Sequence, residues 1–109
     1  SRKYKKNIVP IKKEMHNKIL EEIMDMDVVH YELKNDPDGN EGVIHLGVIA
    51  EDAPAEIVDN KREGLELGDY MAFLLVGIKA LKEENNALRK KLDVYEERFK
   101  EFEASYQKM

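Results

Sequence analysis

The stretch LLVGIKALKEENNALRKKLDVYEERFKEFEASYQKM, residues 74–109, decides how this chain is built. Positions 74, 78, 81, 85, 88, 92, 95, 99, 102, 106 and 109 are spaced alternately four and three apart. They hold Leu74, Ile78, Leu81, Asn85, Leu88, Leu92, Tyr95, Phe99, Phe102, Tyr106 and Met109. A repeat averaging about 3.5 residues keeps one stripe of a helix facing a partner helix along its whole length. Ile78, Asn85, Leu92, Phe99 and Tyr106 take the a positions of this heptad seam, and Leu74, Leu81, Leu88, Tyr95, Phe102 and Met109 take d. A lone helix gains nothing from such a seam, so something packs against it.

The charges beside the seam indicate what. Glu84, Lys91 and Arg98 lie at g, and Arg89, Glu96 and Glu103 lie at the following e positions. In a parallel, in-register bundle, g of one chain meets the next e of its neighbour. The pairs are then Glu84–Arg89, Lys91–Glu96 and Arg98–Glu103, all attractive between identical chains. An exposed pair contributes only about 0.2–1 kcal/mol, so the set selects a partner more than it stabilises one. The reading is a parallel homo-oligomer rather than a helix folded back on its own seam, since no second heptad run exists to meet it. Ile at a with Leu at d leans to two strands, as does a single Asn at a, Asn85. The bulk of Tyr95, Phe99, Phe102 and Tyr106 leans the other way, and the seam alone leaves two and three strands open.

The rest of the 109 residues reads as one small α+β domain over 1–68, followed by the long helix over 69–109. Ile11, Met15, Ile19 and Ile23 recur every four residues after Pro10, which predicts an amphipathic helix from Pro10 to about Met26 with His16 on its surface. Residues before Pro10 are expected to be extended. Val28–Lys34 and Val43–Ala50 read as two strands, joined through the dense turn signal Asn35–Asn40 into a hairpin. A short helical turn over Ala53–Val58 is expected to carry Ile57 and Val58 inward. Asp69 is a suitable N-cap for the long helix. Tyr70–Ile78 is apolar nearly all round, which predicts that the helix is buried at its start and becomes a coiled coil from about Ile78 onward. A head of this size has a thin core, and small domains often need oligomerisation to be stable. The head is therefore expected to fold together with the bundle.

Charged residues are 38% of the chain, as a largely solvated rod requires. There is no Cys, hence no disulfide framework and no thiol chemistry. No apolar run approaches the ~20 residues that span a bilayer, no signal peptide is evident, and no membrane partner is expected. The net charge of −5 conceals an asymmetry: Arg2, Lys3, Lys5, Lys6, Lys12 and Lys13 occupy residues 1–13 without an acid, which leaves −11 on the remainder. A basic arm raises nucleic acid as a partner, but six charges on an acidic chain without a binding motif argue against it. His16, His30 and His45 lack metal-ligand spacing, and no phosphate-binding glycine loop or nucleophile elbow is present. No metal or cofactor is expected.

Three short motifs, in order along the chain, carry a family resemblance. Ser1-Arg2-Lys3-Tyr4-Lys5-Lys6-Asn7-Ile8 resembles the opening of the self-cleaving intramolecular chaperone domains of the S74 peptidase family, in which a Ser is followed five residues later by a Lys and then by Asn-Ile. His45-Leu46-Gly47-Val48-Ile49-Ala50 is similar to the family's His-x-Gly-apolar-Ile-Ala strand, although Glu51-Asp52 stands where the family has Gln-Glu. Gly68-Asp69-Tyr70, with Leu74-Leu75 and Ile78 and Leu81 beyond it, resembles the Asp-Tyr entry into the family's C-terminal coiled helix. Such domains end phage tail spikes, neck appendages and tail fibres, and occur in a eukaryotic membrane-bound transcription factor.

The resemblance implies a domain made as the last part of a longer chain. It trimerises, templates a trimeric β-structure upstream, and cuts itself off just before the Ser, with Ser1 as nucleophile and Lys6 as general base. Its partners are then two further copies of itself and the upstream part of its own precursor. Its place is the host cell cytoplasm during virion assembly, and it is absent from the mature fibre. A chain starting at Ser1 fits a released product, and a boundary set at Ser1 would look the same.

The chemistry makes its own demands. A Ser hydroxyl is a poor nucleophile until a base takes its proton. An ordinary lysine, with pKa near 10.4, is neutral only about once in a thousand at pH 7. Like charge and burial both favour the neutral form; Arg2, Lys3 and Lys5 supply the first, and packing between chains would supply the second. Residues 1 and 6 lie on opposite sides of a strand and about 140° apart on a helix. A local turn, or the Lys of a neighbouring chain, is needed to bring them together. The competing reading is a coiled-coil homo-oligomerisation module without chemistry.

Overall fold

The computed structural model describes residues 1–35, 39 and 42–108. Met109 and most of the Asn35–Asn40 turn lie outside them; Asn35 itself opens that turn in the left-handed region, at φ +52°. Helix α1 spans Lys13–Asp25, strand β1 Val29–Tyr31, strand β2 His45–Gly47 and helix α2 Leu67–Gln107. Short 3-10 turns occupy Arg2–Tyr4, Ala50–Asp52 and Ala55–Ile57. The chain measures 79 × 41 × 21 Å; at about 1.5 Å per residue, α2 accounts for most of the long dimension.

The fold class is as expected, with shorter elements. Pro10 lies in extended chain ahead of α1, and Lys12 stands at its N-cap without a side-chain cap. β1 and β2 pair antiparallel over three residues each, with Val29 opposite Gly47, His30 opposite Leu46 and Tyr31 opposite His45. α2 begins at Leu67, two residues before the expected start. Asp69 lies in its first turn, where a carboxylate still favours the positive end of the helix dipole, and Glu66 takes the cap position without a side-chain bond.

The core is small. Ile19, Ala53, Ile57 and Phe73 are buried together, with Ile23, Met26, Val58, Leu65, Tyr70 and Val76 packed around them. Ile57 is carried inward by the turn Ala55–Ile57, as its apolar character predicted, and is fully buried. The segment after it is tied down by polar contacts. Asp59 Oδ1 accepts from the amides of Lys61 (3.1 Å) and Glu63 (3.0 Å). The Arg62 guanidinium donates to the Ala53 carbonyl at 2.8 Å, and Val58 bridges Leu65. This delivers the chain to Leu67 directly beside the core.

α1 lies antiparallel on the first part of α2. Ile23, near the end of α1, abuts Gly77, where a Cβ would collide with the Ile23 Cδ1 methyl. Seven residues earlier, His16 Nδ1 lies 3.1 Å from Glu83 Oε1. His16 is thus half-buried at the interface of the two helices, not a free surface side chain. The residues of α2 that meet α1, Phe73, Gly77, Ala80 and Glu83, fall at c, g, c and f of the heptad. A second helix does fold back on α2, but on its flank, and the a/d seam stays bare.

That arrangement corrects the expectation of a start buried on every side. Phe73, Gly77 and Ala80 are buried, whereas Met71, Leu74, Leu75 and Ile78 are exposed within the single chain. Because α2 starts at Leu67, the seam also starts earlier: Leu67 falls at d and Met71 at a. From Glu84 to Lys108 every residue of α2 is exposed.

Candidate functional site

The two sets of functional residues lie on different parts of the molecule. Ser1 sits at the N-cap of the turn Arg2–Tyr4, and its Oγ accepts from the Lys3 amide at 3.2 Å. The Tyr4 amide donates to the Ser1 carbonyl and the Lys5 amide to the Arg2 carbonyl, both at 3.2 Å. A Ser side chain at an N-cap satisfies an amide that the turn leaves unpaired. Its own O–H remains free to donate to a base, so the cap contact does not compete with proton removal. The chain then extends at Lys5 and reverses again at Asn7, with φ +54°. Asn is one of the few residues that visits this left-handed region readily.

The local turn that the Ser–Lys spacing demanded is therefore present in place of the expected extended segment. It does not by itself assemble the pair. Ser1 and Lys6 are both exposed, and among the described residues no hydrogen bond joins them. Residues 1–15 are exposed throughout, with the Lys3 ammonium 5.6 Å from the Tyr4 ring centroid. This basic arm touches little of its own head.

The second set is the seam. Leu74, Ile78, Leu81, Asn85, Leu88, Leu92, Tyr95, Phe99, Phe102 and Tyr106 share one face of α2, and every one is exposed. Exposure is 63% at Ile78, 62% at Phe99 and 67% at Phe102. An apolar stripe of this length, interrupted at Asn85, is far beyond what a monomer ordinarily presents to water.

The hairpin gives the His-x-Gly motif a physical meaning. His45 and Gly47 point to the same side of β2. The Tyr31 ring stacks on His45, centroids 5.4 Å apart and planes at 23°. Tyr31 also overlies Gly47, where a Cβ would sit 3.2 Å from Tyr31 Cε1. His45 supplies a surface to stack on and Gly47 the space beside it. Tyr31 escaped the motif search because only its alternation with Val29 and Leu33 signals it.

A third feature was also missed. Glu22 of α1 lies near Glu56 of the turn Ala55–Ile57, and its Oε2 is buried without a hydrogen-bond partner. Burial first, and then Glu56, as a hydrogen-bond acceptor for the protonated form and as a neighbouring negative charge, push the Glu22 carboxyl above its ordinary range, with Lys18 opposing. Nothing in the spacing of residues 22 and 56 announces that contact.

The model of a protein family described as chaperone of endosialidase, the S74 peptidase family, matches residues 1–61. This chain belongs to that family. The match takes in the Ser1–Ile8 arm and the His45–Ala50 strand, and it ends before α2 begins. Comparison with curated proteins and with solved structures finds no match. As an endosialidase-chaperone domain, the chain combines an exposed Ser-containing arm, a hairpin head and a long helix with a bare apolar seam.

Proposed function

We propose that this endosialidase-chaperone domain is a C-terminal intramolecular chaperone. It trimerises through α2, promotes folding and assembly of an upstream trimeric β-structured phage fibre or spike, and releases itself by autoproteolysis just before Ser1. The observation that carries the reading is the coexistence of two features in one small chain: a seam that only other chains can cover, and an open arm with Ser1 and Lys6 at the family's spacing. Residues 1–68 act as the head with the cleavage segment, and 69–109 as the clamp.

The step is an acyl transfer. Lys6, neutral, takes the Ser1 hydroxyl proton as Oγ attacks the carbonyl carbon of the preceding residue. The peptide bond to the Ser1 nitrogen breaks, and that nitrogen receives the proton from Lys6. Water then opens the resulting ester, which leaves a carboxylate on the upstream chain and restores the Ser1 hydroxyl. Ser1 and Lys6 are both exposed and no hydrogen bond joins them among the described residues of the single chain, so cleavage waits for assembly to bring a Lys6, its own or a neighbour's, against Ser1. This happens in the host cytoplasm while the virion is built, and the released domain is absent from the mature fibre.

The test is processing of a precursor with residues upstream of Ser1. The natural sequence is expected to yield two bands on a gel, and Ser1→Ala and Lys6→Ala precursors to stay whole. Efficient cutting of the Lys6→Ala precursor would remove Lys6 from the mechanism. No cutting of the unaltered, assembled precursor would leave a coiled-coil module without chemistry.

A further inference from the structure

α1 covers the outer face of α2 at c, f and g, and Gly77 and Glu84, at g, are where that face comes nearest the seam. A groove of about 540 Å³, lined in part by Glu84, lies between the two helices. Leu20 and Ala87 are its apolar lining, Glu21 of α1 with Glu83 and Glu84 of α2 supply three carboxylates, and Asn17 and the single cation Lys13 complete it, so acid exceeds base in the groove. Among the described residues, neither Glu21 nor Glu84 makes an ion pair within the chain, and neither does Arg89. Arg89 lies at e, across the seam from α1, and cannot reach the groove of its own chain.

In a parallel bundle the neighbour's e side lies against this chain's g side. Helical side chains lean toward the helix N-terminus, so the neighbour's Arg89 is directed back toward the level of residues 84–87, where the groove opens. We infer that this groove is the seat of Arg89 from a second copy of this chain, with Glu21 of α1 joining Glu84 as its acceptor. A guanidinium presents several N–H donors in a planar fork and can serve two carboxylates at once, while its methylene stem covers the apolar lining. The head is thereby part of the interface between copies: α1 reads the neighbour's helix as well as its own. This rests on the parallel bundle proposed above.

The chain has no cysteine, so introduced thiols react alone. Two variants, Glu84→Cys with Arg89→Cys and Glu21→Cys with Arg89→Cys, are treated with a short bismaleimide, and products linked between chains are read on a denaturing gel. The first reports the parallel register and the second the groove. Linked dimers and trimers from both support the inference. A ladder from the first and only monomer from the second overturns the inference while leaving the parallel bundle standing. Only monomer from both overturns the parallel bundle, and the inference falls with it.

Discussion

At the scale of single residues, Glu22 is the clearest case of a group held under electrostatic stress. Its raised carboxyl pKa means that the folded head binds a proton more tightly than the unfolded chain does. Stability is therefore greatest below the ordinary Glu value and falls as pH rises from there through the raised folded value; above both, the full cost is present. Glu22→Gln keeps a donor toward Glu56 without needing the proton. It is expected to stabilise the head by about 1 kcal/mol at neutral pH and to flatten the pH dependence of melting between mildly acidic and neutral conditions. A variant that melts with the natural pH profile would show that the pair does not set it. This contact was invisible in the sequence because residues 22 and 56 meet only through tertiary packing. The Ser1–Lys6 spacing, by contrast, was legible, and it left open a local turn or the Lys of a neighbouring chain as the means of bringing the two together. What the spacing could not reveal is that the turn caps Lys3 with the Ser1 hydroxyl and leaves Lys6 in solvent.

At the scale of elements, the two-helix contact depends on Gly77. A Cβ there meets Ile23, so Gly77→Leu is expected to push α1 off α2 and to destabilise the head by about 1–3 kcal/mol, as overpacking does. Thermal melting followed by far-UV circular dichroism reads this as an earlier transition of the head, with α2 retained in the assembled stalk. An unchanged melt would mean that α1 can shift without cost. The sequence suggested α1 through its apolar repeat, yet read Tyr70–Ile78 as buried uniformly. The reason is that only one face of this stretch is covered within the chain: Phe73, Gly77 and Ala80 are buried, and the seam residues are bare. Periodicity reveals that a surface is apolar and not what covers it. The strands are shorter than their apolar runs because Val28 and Ile44, next to the ladder, stay exposed on the single chain, where nothing holds them in a longer ladder.

At the scale of the whole molecule, a small core around Ile19, Ala53, Ile57 and Phe73 stands beside a long bare seam, and the proposed function has copies of the chain cover that seam. Asn85 is the polar exception at an a position. A buried Asn fixes register and strand number at a cost in stability, so Asn85→Ile is expected to raise the melting temperature of the assembly while broadening its mass distribution or alignment. A variant that keeps the unaltered protein's single mass and register would assign that specificity to the e/g charges alone. The proposed function couples cleavage to assembly, which would bring a Lys6 to Ser1. The most direct test is the extent of cleavage, read on a gel, of a precursor whose seam is broken by Ile78→Asp and Leu88→Asp with Ser1 and Lys6 intact. An uncut chain that sediments as a monomer is expected; a monomeric chain cut as fast as the natural precursor would show that cleavage does not need assembly.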